Sequence, residues 1–299
     1  MARIRQPKII FFILSIVYVQ LRCKSKTNSI NPANLLRNWL IFVVETLRTN
    51  MILNIETSGE YCSVALASNG TLISHLTDIA PLTHAEKITV FIHEILTKNQ
   101  LLPSQLHAVA VSIGPGSYTG LRIGLAAAKG LCYAQNLPLI SLITLETMAD
   151  AYLQTQETAH LPPHTQLIPM IDARRMEVYT ATYDLYINNI IDCKSVILDE
   201  NYLNNKNVDE LCVFIGNGAE KLKAFNKSAR FLVNPSSFTN AMYMCRLSYK
   251  KYVKKSFENL AYIEPFYLKE AHITQPNQSL KKTKPVKEDV GFKIRPQRP

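Results

Sequence analysis

The residues best placed to do chemistry lie in one glycine-rich run, Gly114-Pro115-Gly116-Ser117-Tyr118-Thr119-Gly120, between an apolar strand-like stretch and a helical one. The first N–H groups of a helix have no internal acceptor, so a turn of this kind can attract an anion. It is not a Walker loop, because no Gly-Lys-Ser/Thr follows. It is not a nucleophile elbow either, since Pro115 stands where a glycine is needed before Ser117. Against a dinucleotide fingerprint its third glycine comes one place late, and no acid lies between Leu121 and Leu145 to hold a ribose. A tight turn that lets the helix lie close to a sheet accounts for the same residues.

Two acids, Glu56 and Asp172, each end an apolar run, the place where a phosphate-binding strand turn needs one. The second turn, Asp172-Ala173-Arg174-Arg175-Met176, has no glycine, and its arginines suit either phosphate or plain surface charge. Gly216 and Gly218 can approach an adenine or simply open a helix. Glu56, Asp172, Arg174, Arg175, Gly216 and Gly218 are therefore the candidate nucleotide or anion contacts. His160-Leu161-Pro162-Pro163-His164 is the only HxxxH, and its prolines prevent the helix that would align the histidines. His75, His84, His93, His107 and His272 show no ligand spacing. No metal site and no catalytic residue are assigned. The six cysteines are scattered without a CxxC, the pattern of a reducing, cytoplasmic compartment.

Several elements must position these residues. Strand-like runs at 51–55, 61–67 and 71–76 are joined in part by the hairpin signal Asn69-Gly70. Apolar spacing predicts helices over 84–98 and 119–135, strands at 107–113 and 139–142, and a helix with Thr144 as N-cap. A similar order recurs: strands at 167–172, 176–184 and 187–197, a short helix near 199–205, a strand at 211–215, a helix after Gly218, and a long helix at about 238–255. The repeated β-β-β-α-β-α order suits an α/β fold of two lobes, the actin/sugar-kinase/Hsp70 (ASKHA) architecture. The lobes are expected at 51–160 and 161–274.

Composition agrees with a folded body. The 299 residues are 47% apolar and 19% charged, and the net charge of +10 sits at the ends. Residues 1–50 carry +7 and residues 275–299 carry +5, whereas 51–274 carries −2. Residues 9–19 resemble a signal-peptide core but are too few to span a bilayer and lack a small-residue cleavage site. The expectation is an N-terminal extension outside the fold, with Met51 opening it, a disordered basic tail from 275, and no membrane association.

The helix over 119–135 is unusual. Gly120, Gly124 and Ala128 recur at i, i+4, with Ala126, Ala127, Gly130 and Ala134 also small. Each interior glycine costs about 1 kcal/mol relative to alanine, so three require a compensating close contact. That contact is either the chain's own sheet or another subunit.

Gly114-Pro115-Gly116-Ser117-Tyr118-Thr119-Gly120-Leu121-Arg122-Ile123-Gly124 through Ala128-Lys129-Gly130 resembles the signature of the TsaB (YeaZ) family. Further matches are Glu56-Thr57-Ser58 (usually Asp first in the family), Thr83-His84-Ala85-Glu86, Pro138-Leu139-Ile140, Asp172-Ala173-Arg174-Arg175-Met176-Glu177-Val178-Tyr179, Gly216-Asn217-Gly218-Ala219 and Glu264-Pro265-Phe266-Tyr267-Leu268-Lys269-Glu270. The resemblance implies a non-catalytic, dimerising subunit of the machinery that makes N6-threonylcarbamoyladenosine at position 37 of tRNAs reading ANN codons. It implies a TsaD-like catalytic partner, a TsaE-like ATPase in the complex, indirect contact with tRNA and self-pairing of the lone chain. It implies no cofactor of its own, with ATP or ADP placed, if anywhere, at a shared interface. The implied docking residues are Gly120, Gly124, Ala127, Ala128 and Leu131, with Ile88, Phe91 and Ile95 opposite. Gly124→Leu is expected to break docking and leave the fold intact. Gly114, Pro115 and Gly116 form the structural loop. Where TsaD carries Asn-His-x-x-x-His, this chain has Thr144 and Met148 in the histidine places, and these are poor ligands for hard or borderline cations. The rival readings are a stand-alone ASKHA phosphotransferase and a glycoprotease-like metallopeptidase.

Overall fold

A computed structural model describes residues 49–78, 84–154, 161–204, 210–224, 230–236 and 238–269. The expected N-terminal extension, apart from residues 49–50, and the basic tail lie outside these, as do His160 and His272.

The first half opens with β1 (Met51–Glu56), β2 (Cys62–Ser68) and β3 (Thr71–Asp78), an antiparallel meander. Its second turn is the Asn69-Gly70 hairpin, with both residues at positive φ (49° and 80°) as a tight primed turn requires. Then follow α1 (His84–Lys98), β4 (Ala108–Gly114), α2 (Tyr118–Gln135), β5 (Leu139–Ile143) and α3 (Thr144–Leu153). β4 and β5 run parallel to β1, giving the sheet order β3-β2-β1-β4-β5.

The second half repeats this plan. β6 (Gln166–Asp172), β7 (Glu177–Tyr183) and β8 (Asn189–Ile197) form the meander, followed by α4 (Glu200–Asn204), β9 (Cys212–Ile215) and β10 (Phe231–Asn234). The sheet order is β8-β7-β6-β9-β10, the same permutation as the first. The duplicated ASKHA fold is thus present, and β10 adds a strand that the sequence pattern did not predict.

Strand alternation explains the layers. On β1, Leu53 and Ile55 face the core beneath α1 and α2, whereas Ile52 faces the core between the two sheets. On β6, Ile168 and Met170 face a third core shared with Leu203 of α4, and Leu167 faces the central one. Strands paired in parallel and covered on both sides are mostly apolar on both, as 108–113 and 139–142 are apart from Ser112 and Ser141, whose hydroxyls are hydrogen-bonded. The central core is filled by α3 and by α5 (Cys245–Val253), a helix from the end of the second half that packs on β1, β2, β3 and β5 of the first sheet.

Three local expectations need correction. Thr144 is the first helical residue of α3 and not its cap; its hydroxyl instead pairs with Ser112 Oγ at 2.7 Å. The helix expected after Gly218 is a 3-10 helix, Asn217–Ala224. The long helix expected over 238–255 is split: Asn240 caps a 3-10 turn, Ala241–Met244, by accepting from Met242 N, and α5 follows.

Candidate functional site

The glycine-rich loop is the junction of four segments. Gly114 ends β4 at φ +118°, a conformation that costs any residue with a side chain, and a Cβ there would also lie 2.8 Å from the Phe266 carbonyl oxygen. Gly116 faces the β1–β2 turn, where a Cβ would lie 2.4 Å from Ser58 O. Ser117 donates its backbone N–H to that same oxygen at 2.7 Å, and its Oγ caps α2 by accepting from Gly120 N at 3.2 Å. The Gly114–Pro115 peptide is cis. A C-terminal strap over residues 256–269 closes the other side. Glu258 N donates to Leu139 O and Phe266 N to Ile113 O, and Ser141 Oγ donates to the Glu258 carboxylate at 2.5 Å.

Two glycines of α2, Gly120 and Gly124, face inward. A Cβ on Gly120 would sit 2.0 Å from Thr57 O, and one on Gly124 would sit 2.2 Å from Thr57 Oγ1. Thr57 Oγ1 in turn donates to Gly120 O at 2.8 Å. Ala128, Ile88 and Ile95 are buried in the core between these helices and the sheet. Gly120, Gly124, Ala128, Ile88 and Ile95, expected to meet a partner, are therefore sealed within the chain, because the helix must approach β1 closely. The Gly124→Leu expectation fails with them, since the added side chain would overpack the fold itself. Phe91, Ala127 and Leu131 are half-buried at the edge of that core.

The exposed side of the pair carries Ala126, Gly130, Tyr133 and Ala134 of α2 and Val90 of α1. Around Gly130, apart from its chain neighbours and the backbone of its own helix, no atom lies within 4 Å of a built Cβ. The sequence held the signal for choosing between the two stripes. Gly120, Gly124 and Ala128 share a helix face with Leu121, Leu125 and Cys132, which mark it as inward, whereas Ala126, Gly130 and Ala134 share theirs with Arg122 and Tyr133.

Five of the six candidate nucleotide or anion contacts gather at the ends of the parallel strands β6 and β9, where Asp172 N donates to Asn217 Oδ1 at 3.0 Å and Gly218 lies against Ile171; Glu56 belongs to the first sheet. Glu56 is fully buried. Its Oε1 accepts from Ser58 N at 2.7 Å, and its Oε2 has no partner. Burial pushes its carboxyl group above the ordinary range, against the opposing pull of the Ser58 hydrogen bonds. Gly216 and Gly218 are also buried. A Cβ at Gly216 would meet Met148 Cε at 2.3 Å and Met170 O at 2.6 Å, so close packing occupies the space a ligand would need. Asp172 is exposed and engaged: its Oδ1 accepts from Lys221 Nζ and from Arg174 N, both at 2.6 Å. Only Arg174 and Arg175 stand free at the surface, in consecutive left-handed conformations (φ 71° and 51°). The correction for Glu56, Gly216 and Gly218 has one cause: these residues serve the packing of β1 and β6 against their neighbours.

Thr144 and Met148 are both buried. Among the described residues there is no cluster of three metal-ligating side chains and no helix long and apolar enough to cross a membrane. Burial raises the thiols of Cys62, Cys132 and Cys245 to about 11, 12 and 12.

Comparison with known proteins follows this geometry. A family model described as TsaD, tRNA N6-adenosine threonylcarbamoyltransferase, matches residues 77–275. The chain is 30% identical over 228 residues to the tRNA threonylcarbamoyladenosine biosynthesis protein TsaB of Haemophilus influenzae, covering 73% of this chain and 93% of that one. It is 38% identical over 139 residues to Escherichia coli TsaB, covering 46% of this chain and 57% of that one. The solved structure of YeaZ from Pseudomonas aeruginosa shares the fold with a TM-score of 0.63 at 22% identity, covering 73% of this chain and all of that one. The chain belongs to the TsaB family, and with it to the larger TsaD-related group that the family model describes.

Proposed function

We propose that this chain is a non-catalytic subunit that supports a TsaD-like enzyme in making N6-threonylcarbamoyladenosine at position 37 of tRNAs reading ANN codons. The observation that carries the reading is the filling of α3. Where a TsaD-type metal ligand pair would stand, Thr144 has its hydroxyl committed to Ser112, and Met148 is packed against Gly216. Neither offers the donor that a hard or borderline cation needs. A stand-alone phosphotransferase is disfavoured on similar grounds, because Glu56 is turned into the dry interior and Gly216 and Gly218 have no free space beside them. A nucleotide, if the complex uses one, belongs at an interface shared with a partner. A TsaE-like ATPase completes the complex, which acts in the cytoplasm.

The docking surface is the outer face of α1 and α2, centred on Ala126, Gly130 and Ala134 with Val90 beside them. Small side chains let a partner helix come close, and the lone chain pairs with itself through the same face. The test is size-exclusion chromatography of the full chain mixed with a TsaD-family catalytic subunit. Wild type co-elutes with it. Ala126→Arg loses co-elution while keeping the wild-type melting temperature. Co-elution of that variant, or threonylcarbamoyl transfer by the isolated chain, would refute the reading.

A further inference from the structure

The Ala126–Gly130–Ala134 stripe of α2 continues at the same four-residue spacing through Arg122 and Tyr118, where it meets the strap. There the Tyr118 and Tyr267 rings lie 5.1 Å apart, tilted by 32°, and the Arg122 guanidinium sits 4.2 Å over the Tyr118 ring. Arg122 Nε donates to the Tyr267 hydroxyl at 3.0 Å. The two rings stay open to solvent, Tyr118 at 42% and Tyr267 at 38% exposure, so the stack is ordered without being buried. Glu264, on the same strap, is an acid near enough to act on Arg122.

Two residues beyond Tyr267, Lys269 pairs with Glu177, which bonds back to Arg174 O through its own N–H. The strap therefore joins the aromatic stack to the Arg174–Arg175 turn. The acids of that turn are already occupied: Asp172 by Lys221, and Glu177 by Lys269 and Ser195. Arg174 and Arg175 consequently make no ion pair among the described residues. Both hold a left-handed backbone that bulky side chains disfavour and that Asn or Gly would supply without strain.

We infer that this surface binds single-stranded RNA, stacking unpaired bases on Tyr118, Arg122 and Tyr267 and taking phosphates on Arg174 and Arg175. The inference rests on the proposed function for its RNA, and adds a direct contact by this chain. Aromatic and guanidinium planes stack any unpaired base. Guanidinium groups without a protein partner match phosphate oxygens. Side chains already held in a stack lose little freedom when a base arrives.

The test is a fluorescence-anisotropy titration of the full chain, alone and with its catalytic partner. The probes are a short stem-loop RNA with an unpaired loop and a blunt duplex of the same stem. The stem-loop binds about tenfold more tightly than the duplex. Tyr118→Ala with Tyr267→Ala removes that preference, and Tyr118→Phe with Tyr267→Phe, which keeps the rings, retains it. Arg174→Asn with Arg175→Asn suits the left-handed turn, weakens both RNAs and lowers the slope against log salt by about 1. Equal binding of the two RNAs, or a preference that survives the alanine pair, overturns the inference. So does an alanine pair that breaks co-elution with the partner and leaves RNA binding as it was. A wild-type chain that prefers the stem-loop but never co-elutes would sink the subunit reading and leave this one standing.

Discussion

Glu56 shows what a residue's type leaves open until its surroundings are known. An acid ending the first strand of such a fold suits phosphate work, yet this one lies inside the protein with one oxygen on Ser58 N and the other unpartnered. Its folded-state pKa is raised from the ordinary 4.5, so the native state binds more protons than the unfolded one. The stability it contributes is therefore full below about 4.5 and is lost as pH rises through the raised value. Urea unfolding across about pH 4 to about pH 8 will show that decline. Glu56→Gln, which keeps the acceptor for Ser58 N, will flatten it and gain about 1–3 kcal/mol at the alkaline end. Gly120 makes the opposite case, a residue whose lack of a side chain is indispensable. With Thr57 O only 2.0 Å from a built Cβ, Gly120→Ala will destabilise the chain by about 1–3 kcal/mol, despite the better helix propensity of alanine. Thermal melting of the isolated chain reads this directly.

Between the sheets, α3 and α5 are tied by Asp150 and Arg246. Asp150 is wholly buried, accepts from Arg246 through both carboxylate oxygens, and accepts from Gln154 at 2.9 Å. Arg246 is 58% exposed, so water screens part of the attraction, and the pair is worth less than a fully buried one. Its loss is still costly, because an ionised carboxylate would remain buried without its partner. Arg246→Ala will lower unfolding stability by about 2–3 kcal/mol, and Asp150→Leu with Arg246→Leu will recover most of it, as denaturant titrations of the two variants will show. This tie also marks where sequence reading ends. β1, β2, the Asn69-Gly70 turn and α1 are legible because their periodicity and turn chemistry are local. The crossing of α5 to the first sheet is not, since an apolar helix face says that it is buried but not by what. β10 escaped notice because only Phe231 to Val233 are apolar, too short a run to mark a strand, whereas 211–215 is apolar throughout. In the site, the loop and its glycines were legible. The strap that clamps them depends on pairings such as Phe266 with Ile113, far apart in sequence, that no spacing announces.

Across the whole molecule, α2 presents small residues on two faces, one packed inward and one exposed, and its glycines divide between them. Gly120 and Gly124 let the helix lie against Thr57 of its own sheet, so their cost in helix propensity is returned within the monomer. Gly130 has open space around it, so nothing in the monomer returns its cost. An isolated chain should therefore gain from losing it: Gly130→Ala will raise stability by about 0.5–1 kcal/mol, measured by chemical denaturation. If the outer face of α1 and α2 receives a helix of the catalytic subunit, the same methyl group will hold the two backbones apart and weaken the complex, and Gly130→Leu will weaken it further. Calorimetric titration of the three forms against that subunit checks this: affinity falls from Gly to Ala to Leu while monomer stability does not fall with it. A uniform affinity across the series would place the partner elsewhere on the surface, and a stability loss on Gly130→Ala would mean that the helix packs more tightly there than the open space allows. The opposed trends expected at this position separate a glycine kept for folding from one kept for assembly.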